Sequence, residues 1–114
     1  MRYYPRGARF PPFTITRSCG MYAVIRRYSG VAKLIHELDN KKDEVVKVMR
    51  GAPGFIAYYA VRDGEALATV TISDDRSGAD ESTRLAAQWV RDNLPGVRVT
   101  APEAIGGEVF ISAK

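Results

Sequence analysis

Residues 55–73 read FIAYYAVRDGEALATVTIS and decide the fold. Two runs of largely apolar, alternating residues, Phe55–Val61 and Ala66–Ser73, flank a short polar segment that contains Asp63 and Gly64. Asp-Gly between two such runs is a strong signal for a tight β-hairpin. The sequence therefore predicts two antiparallel strands with Asp63 and Gly64 as the two loop residues.

A strand and a helix precede this hairpin. Residues 21–28 alternate as a strand does, and a helical apolar pattern follows over residues 31–50. Gly51 and Pro53 end that pattern, as a glycine followed by a proline often ends a helix. Lys42 falls on the apolar stripe of this predicted helix, where it would either extend to solvent or mark a kink.

A second helix and a last strand follow the hairpin. The helix is predicted from Ser77, as a capping box with Asp80, to about residue 93, and its apolar stripe includes Thr83. The strand is predicted within residues 103–112, most strongly at 108–112. The complete order predicts an α+β fold, a ferredoxin-like βαββαβ sandwich whose antiparallel sheet carries helices on one face.

Charge divides the chain near residue 20. The whole chain has a formal net charge of +4, but all 13 acidic residues lie after residue 20, where basic residues balance them. The first segment instead holds four arginines, Arg2, Arg6, Arg9 and Arg17. We expect residues 1–20 to be a flexible basic N-terminal extension and residues 21–114 to be the domain.

Three explanations of the extension stay open. Met21 could be the functional first residue, or the extension could be an organellar transit peptide, since such peptides are Arg-rich and poor in acids. An arginine and aromatic arm could also contact nucleic acid. A nucleic-acid partner is not expected, because no basic face on the domain continues the arm.

Composition excludes several other classes. The mean hydropathy is −0.20 and no long apolar run occurs, so no membrane partner is expected. The single cysteine rules out an internal disulfide framework and fits a cytoplasmic location. The histidine and thiolate ligands that a zinc or iron site needs do not cluster in the sequence, so no metal is expected.

Alternation along the strands divides the sheet into two faces. One set is nearly all apolar and is expected beneath the helices: Phe55, Ala57, Tyr59, Val61, Ala66, Ala68, Val70 and Ile72. The opposite set, called the candidate face, includes the aliphatics Val24, Ile56 and Leu67 and the proposed ligand-binding residues Arg26, Tyr28, Tyr58, Thr69, Thr71, Tyr22 and Phe110. A contiguous apolar patch of this kind is expected to be covered by a second copy, which predicts a homodimer through the sheet face.

Arg26 is the one charge on the candidate face. Burying a cation without a partner raises the free energy of the folded state by on the order of several kcal/mol, because the charge loses its water. Something anionic is therefore expected near it, either a carboxylate such as Glu108 of a second copy or an anionic group on a small aromatic ligand.

Four segments resemble a known group of proteins. MYAVIRRY (21–28), APGFIAYY (52–59), SDDRSGADESTRLAAQWV (73–90) and GGEVFIS (106–112) are similar to small members of the dimeric α/β-barrel superfamily. They look most like its uncharacterised, antibiotic-biosynthesis-monooxygenase-like members. The resemblance implies that two sheets pair into a dimeric α/β barrel, but it specifies activity poorly because the superfamily hosts many functions.

The resemblance also implies which chemistry to test. Haem-degrading members use an asparagine, a tryptophan and an iron-ligating histidine. The asparagine position carries Arg26 here, the only histidine, His36, falls on the solvent side of its helix, and Trp89 is expected at the edge of the core. Haem turnover is therefore not expected, and neither is any other cofactor.

Two functions follow as alternatives. The first is a structural or small-molecule-binding protein that uses the sheet face. The second is a cofactor-independent monooxygenase for a phenolic or polycyclic aromatic substrate, in which Arg26 would stabilise the phenolate. The candidate face offers no evident strong base, so whether the chain is an enzyme stays open.

Overall fold

The chain follows the βαββαβ order that the sequence predicts, with two consecutive helices in place of the first, so that it has four strands and three helices. The computed structural model describes residues 20–99 and 101–114, so the predicted extension lies outside the described residues except for Gly20. The elements in chain order are β1 Tyr22–Tyr28, α1 Ala32–Asn40, α2 Lys42–Arg50, β2 Phe55–Asp63, β3 Ala66–Ser73, α3 Arg76–Asn93 and β4 Glu103–Glu108. The strands form one antiparallel sheet in the order β2-β3-β1-β4, which confirms the predicted ferredoxin-like α+β topology.

The hairpin closes one residue later than predicted. Asp63 pairs with Ala66, so the loop consists of Gly64 and Glu65. Gly64 takes a positive φ of 60°, which glycine adopts without a steric penalty. The carbonyl of Glu65 accepts a hydrogen bond of 3.0 Å from the backbone N–H of Val31, which ties the loop to the start of α1.

The predicted helix over residues 31–50 is two helices. The chain leaves helical geometry at Lys41, with φ −120° and ψ 25°, and α2 starts at the next residue. Lys42 is therefore exposed, and its ammonium pairs with the Asp39 carboxylate at 3.2 Å. A kink, one of the two outcomes expected for Lys42, is what the structure shows.

Helix α3 begins at a different cap from the one predicted. The carboxylate of Asp75, and not the hydroxyl of Ser77, accepts a hydrogen bond of 2.8 Å from the Gly78 N–H. A Cβ on Gly78 would stand 2.5 Å from the Pro53 carbonyl oxygen, so only glycine allows this close approach.

The last strand lies within the predicted window of residues 103–112, but in its first half and not at the preferred position 108–112. β4 pairs with β1 over Glu103–Glu108, and the Val109 N–H makes one further bond of 2.9 Å to the Met21 carbonyl. Phe110 lies beyond the strand and is 87% exposed, so its expected place in the sheet was wrong. Gly106 allows β4 to pair here because Tyr22 covers it: a Cβ at Gly106 would stand 3.2 Å from the Tyr22 hydroxyl.

The two faces of the sheet are the reverse of the prediction. Along β3, Leu67, Thr69, Thr71 and Ser73 are buried, while the alternating residues between them are not. Apart from Phe110, which lies outside the sheet, and Ile56, which is exposed at an irregularity of β2, the candidate face thus lies beneath the helices, and we call this side of the sheet the inner face. The outer face carries the more apolar set, including Ile25, Tyr59, Val61, Val70, Ile72 and Ile105. The prediction failed because the inner face lines a cleft and so tolerates polar groups, whereas a dry core would not.

The main cluster of buried hydrophobic residues lies between the sheet and the helices. It consists of Val31, Leu34, Ile35, Leu67 and Leu94. Trp89 is half-buried against this cluster, at the edge of the core as predicted. Within the described residues, none of the helices combines the length and the apolar character that a bilayer crossing requires.

Candidate functional site

A cleft of about 640 Å³ separates the inner face from the helices. Helices α1, α2 and α3 contribute mainly apolar side chains to it, among them Leu38, Met49 and Trp89. The sheet contributes Arg26, Tyr28, Tyr58, Leu67, Thr69 and Thr71. Five predicted site residues therefore meet in one cavity, but within a single chain and not between two sheets.

The remaining two predicted residues lie elsewhere. Tyr22 shares the inner face, but its ring packs over Gly106 and it does not line the cleft. Phe110 lies past the end of β4, also outside the lining. Both had been placed by strand alternation alone, which does not show how far along a strand a cavity extends.

Arg26 is half-buried and reaches helix α3. Its Nη2 donates a hydrogen bond to the Thr83 hydroxyl oxygen, and the Thr83 hydroxyl donates to the Ala79 carbonyl at 3.0 Å. Among the described residues no carboxylate forms an ion pair with Arg26. Glu108 is exposed and lies opposite Tyr22, at the other end of β1, so this chain's own Glu108 does not pair with Arg26.

The positive charge of Arg26 affects the pKa of two nearby tyrosines, Tyr28 and Tyr58. Burial raises the pKa of Tyr28, and the nearby Arg26 guanidinium partly opposes that rise. Burial, with a smaller contribution from Tyr28, raises the pKa of Tyr58 to about 12, again against Arg26. Both phenols therefore keep their protons at neutral pH and serve as hydrogen-bond donors, not as bases.

The charge of the lining has one sign. Its ionisable groups are Arg26, the exposed Arg91 and the two tyrosines, and no Asp, Glu or His lines the cleft among the described residues. The region is therefore electropositive and apolar together, which suits an apolar molecule with an anionic group.

Sequence reasoning missed Thr83 as a site residue. The signal was present, because a threonine on the apolar stripe of α3 is a polar group placed where a core side chain is expected. Its partner Arg26 occupies the facing strand.

A metal or haem site would require suitable ligand side chains among the described residues. Within the part of the chain that the structure describes, no group of three or more His, Cys, Asp or Glu side chains could hold a metal ion. His36 is exposed on α1, where Asn40 lies 3.3 Å from its Nε2, as the helical pattern predicts for a solvent-side residue. The residues present do not fit an iron-bound haem.

Comparison with known proteins places this architecture among solved folds. No protein-family model matches the chain, and no curated protein matches it in sequence. A protein of unknown function from Nitrosomonas europaea, NE2512, has a TM-score of 0.64 at 14% identity, covering 82% of this chain and 93% of that one. A candidate antibiotic biosynthesis monooxygenase from the same organism has a TM-score of 0.63 at 11% identity, covering 84% and 96%. The chain has the antibiotic-biosynthesis-monooxygenase-like fold.

One structure with this fold was solved with a ligand. The monooxygenase of the gene ActVA-Orf6 from Streptomyces coelicolor, in complex with nanaomycin D, has a TM-score of 0.59 at 15% identity and covers 83% of this chain and 91% of that one. These likenesses establish the fold, which is the one that the resemblance of the four segments implies. At these sequence identities they do not indicate a function, which has to be inferred from the residues of the cleft.

The raised pKa of Tyr58 predicts a stability loss at alkaline pH. Below about pH 10 the tyrosine keeps its proton in both states, and between pH 10 and about 12 only the unfolded state loses it. The unfolding free energy, measured with urea, should therefore fall between about pH 9 and pH 11, with Tyr58 responsible for on the order of 1 kcal/mol of that fall.

Tyr58→Phe should remove that part of the pH dependence. Tyr59→Phe is the matched control, because Tyr59 lies on the outer face and is 59% exposed. Equal pH dependence in wild type and Tyr58→Phe would show that Tyr58 is not buried in the cleft.

Proposed function

We propose that the chain binds a small, largely apolar molecule with an anionic group in the cleft between sheet and helices. The observation that carries the proposal is Arg26, a half-buried cation with no carboxylate partner among the described residues. A single hydrogen bond to Thr83 leaves most of its five N–H donors free for an oxyanion.

The surroundings of Arg26 support the same ligand chemistry. Tyr28 and Tyr58 line the cleft, their hydroxyls make no hydrogen bond among the described residues, and both hold their protons, so both can donate to an anion. Beyond them the lining is apolar and includes Trp89, on which an aromatic ring can stack. An aromatic carboxylate or phenolate combines the two features.

The monooxygenase alternative concerns the same cleft. Arg26 would stabilise a phenolate, the form of an electron-rich phenol that reacts with dioxygen, and the ActVA-Orf6 protein is a named monooxygenase with this fold. However, no carboxylate or imidazole among the described lining residues is present to take the phenol proton. Binding is therefore the better supported function, and protein-dependent oxygen uptake with 1-naphthol would instead favour the monooxygenase.

The first prediction from this proposal concerns Arg26. Arg26→Ala should weaken binding of 2-naphthoate, measured by calorimetry, by about tenfold or more, as loss of a charged hydrogen-bond donor does. The melting temperature without ligand should stay the same or rise, because an incompletely paired cation is removed.

Arg27→Ala is the matched control for that experiment. Arg27 is the next residue of β1, so its side chain points to the outer face, where it lies 3.6 Å from Glu103. Wild-type affinity for 2-naphthoate in Arg26→Ala, or an equal loss in Arg27→Ala, would contradict the cleft as the binding site.

We also propose a homodimer through the outer face. In the single chain Tyr59 is 59% exposed, Val61 57% and Ile105 68%, and these side chains belong to one face of the sheet. Such a patch is a typical interface, and a two-fold axis allows a second copy to cover it with the same residues. This keeps the predicted sheet-to-sheet pairing but assigns it to the opposite face.

A charged residue on the outer face should separate the dimer. Val61→Glu should produce monomers in sedimentation at micromolar concentration, because each copy would bury a carboxylate in an apolar interface. Val46→Glu is the control, since Val46 is 45% exposed but lies on α2. A monomeric wild type, or dissociation by both substitutions, would rule out this interface.

A further inference from the structure

We propose that Thr83 is a positioning residue that holds Arg26 so that it presents a single bidentate edge to the cleft, which makes the site selective for planar carboxylates. This inference rests on the proposed binding function but concerns a residue of α3 and a hydrogen bond that exist without ligand. It follows in three steps from the geometry at Arg26.

The first step is the direction of the hydrogen bonds at Thr83. Its hydroxyl proton goes to the Ala79 carbonyl, four residues earlier on α3, at 3.0 Å. The hydroxyl has only one proton, so towards the cleft its oxygen can only accept. It therefore pairs with a donor, and the Arg26 Nη2 supplies one.

The second step is the shape of the guanidinium. Arg carries five N–H donors in a rigid plane, and a carboxylate binds two at a time, across either Nε and Nη2 or Nη1 and Nη2. Both edges use Nη2. Because one Nη2 proton is taken by Thr83, one of the two edges is blocked and the other remains complete.

The third step is what surrounds the guanidinium. Arg26 lies opposite Thr69 of β3, and the phenols of Tyr28 and Tyr58 belong to the same cleft lining. Helix α3, which carries Thr83, lies on the side of the guanidinium that makes this hydrogen bond. A carboxylate on the remaining edge meets two in-plane donors at once, whereas a neutral carboxamide offers only one acceptor oxygen to them.

The test compares two probes on two variants. Thr83→Val should weaken binding of 2-naphthoate about tenfold, while the affinity for its neutral isostere 2-naphthamide changes little. Thr83→Ser keeps the hydroxyl and should retain the wild-type preference for the carboxylate. If valine disturbs α3, Thr83→Ala provides the same comparison. An unchanged ratio of the two affinities in both the valine and the alanine variant would overturn the proposal.

A second measurement separates this inference from the binding function. In ¹⁵N-arginine NMR spectra without ligand, the Arg26 guanidinium resonances should show restricted rotation in wild type and Thr83→Ser, and averaging in Thr83→Val. If these spectra differ as expected but 2-naphthoate fails to bind wild type, the binding function fails and the positioning role stands. If wild type and Thr83→Val give the same spectra, Thr83 does not position Arg26, and this conclusion holds whether or not 2-naphthoate binds.

Discussion

The hydrogen bond between Arg26 and Thr83 joins the sheet to helix α3 across the space where a core would otherwise form. A guanidinium with an incomplete set of partners is costly in dry surroundings, so the helices do not close over it and the cleft stays open. The buried hydrophobic cluster around Leu34 and Leu94 borders this cleft. The open cleft and the polar part of its lining follow from this one placement.

The order of the elements could be predicted from local chemistry. The hairpin, both ends of β3 and the end of α3 depend on residues next to one another, and turn and helix signals report on such neighbours. The same local reasoning placed the N-cap of α3 at Ser77, whereas Asp75 is the residue that caps the helix. It also closed the hairpin one residue early. Errors of this size leave the topology intact.

The assignment of the faces could not be predicted in the same way. Val70 and Thr71 are neighbours on β3. The expectation that the more apolar face packs against the helices places Val70 beneath them, yet Thr71 is the buried residue. Alternation separates the two faces but does not say which one the helices cover when the inner face lines a cleft and the outer face is apolar. The candidate residues Arg26, Tyr28, Tyr58, Thr69 and Thr71 were nevertheless found together, because alternation groups them correctly whichever face is covered.

The central claim is that ligand binds on the inner face of the sheet, and strand β3 allows it to be tested directly. Chemical shifts of the β3 methyl groups can be followed by NMR during titration with 2-naphthoate, since Thr69 and Thr71 face the cleft while Val70 and Ile72 face outward. Binding on the inner face predicts large shifts of the two threonine methyls and small shifts of the valine and isoleucine methyls. Large shifts confined to Val70 and Ile72 would place the ligand on the outer face and contradict binding in the cleft.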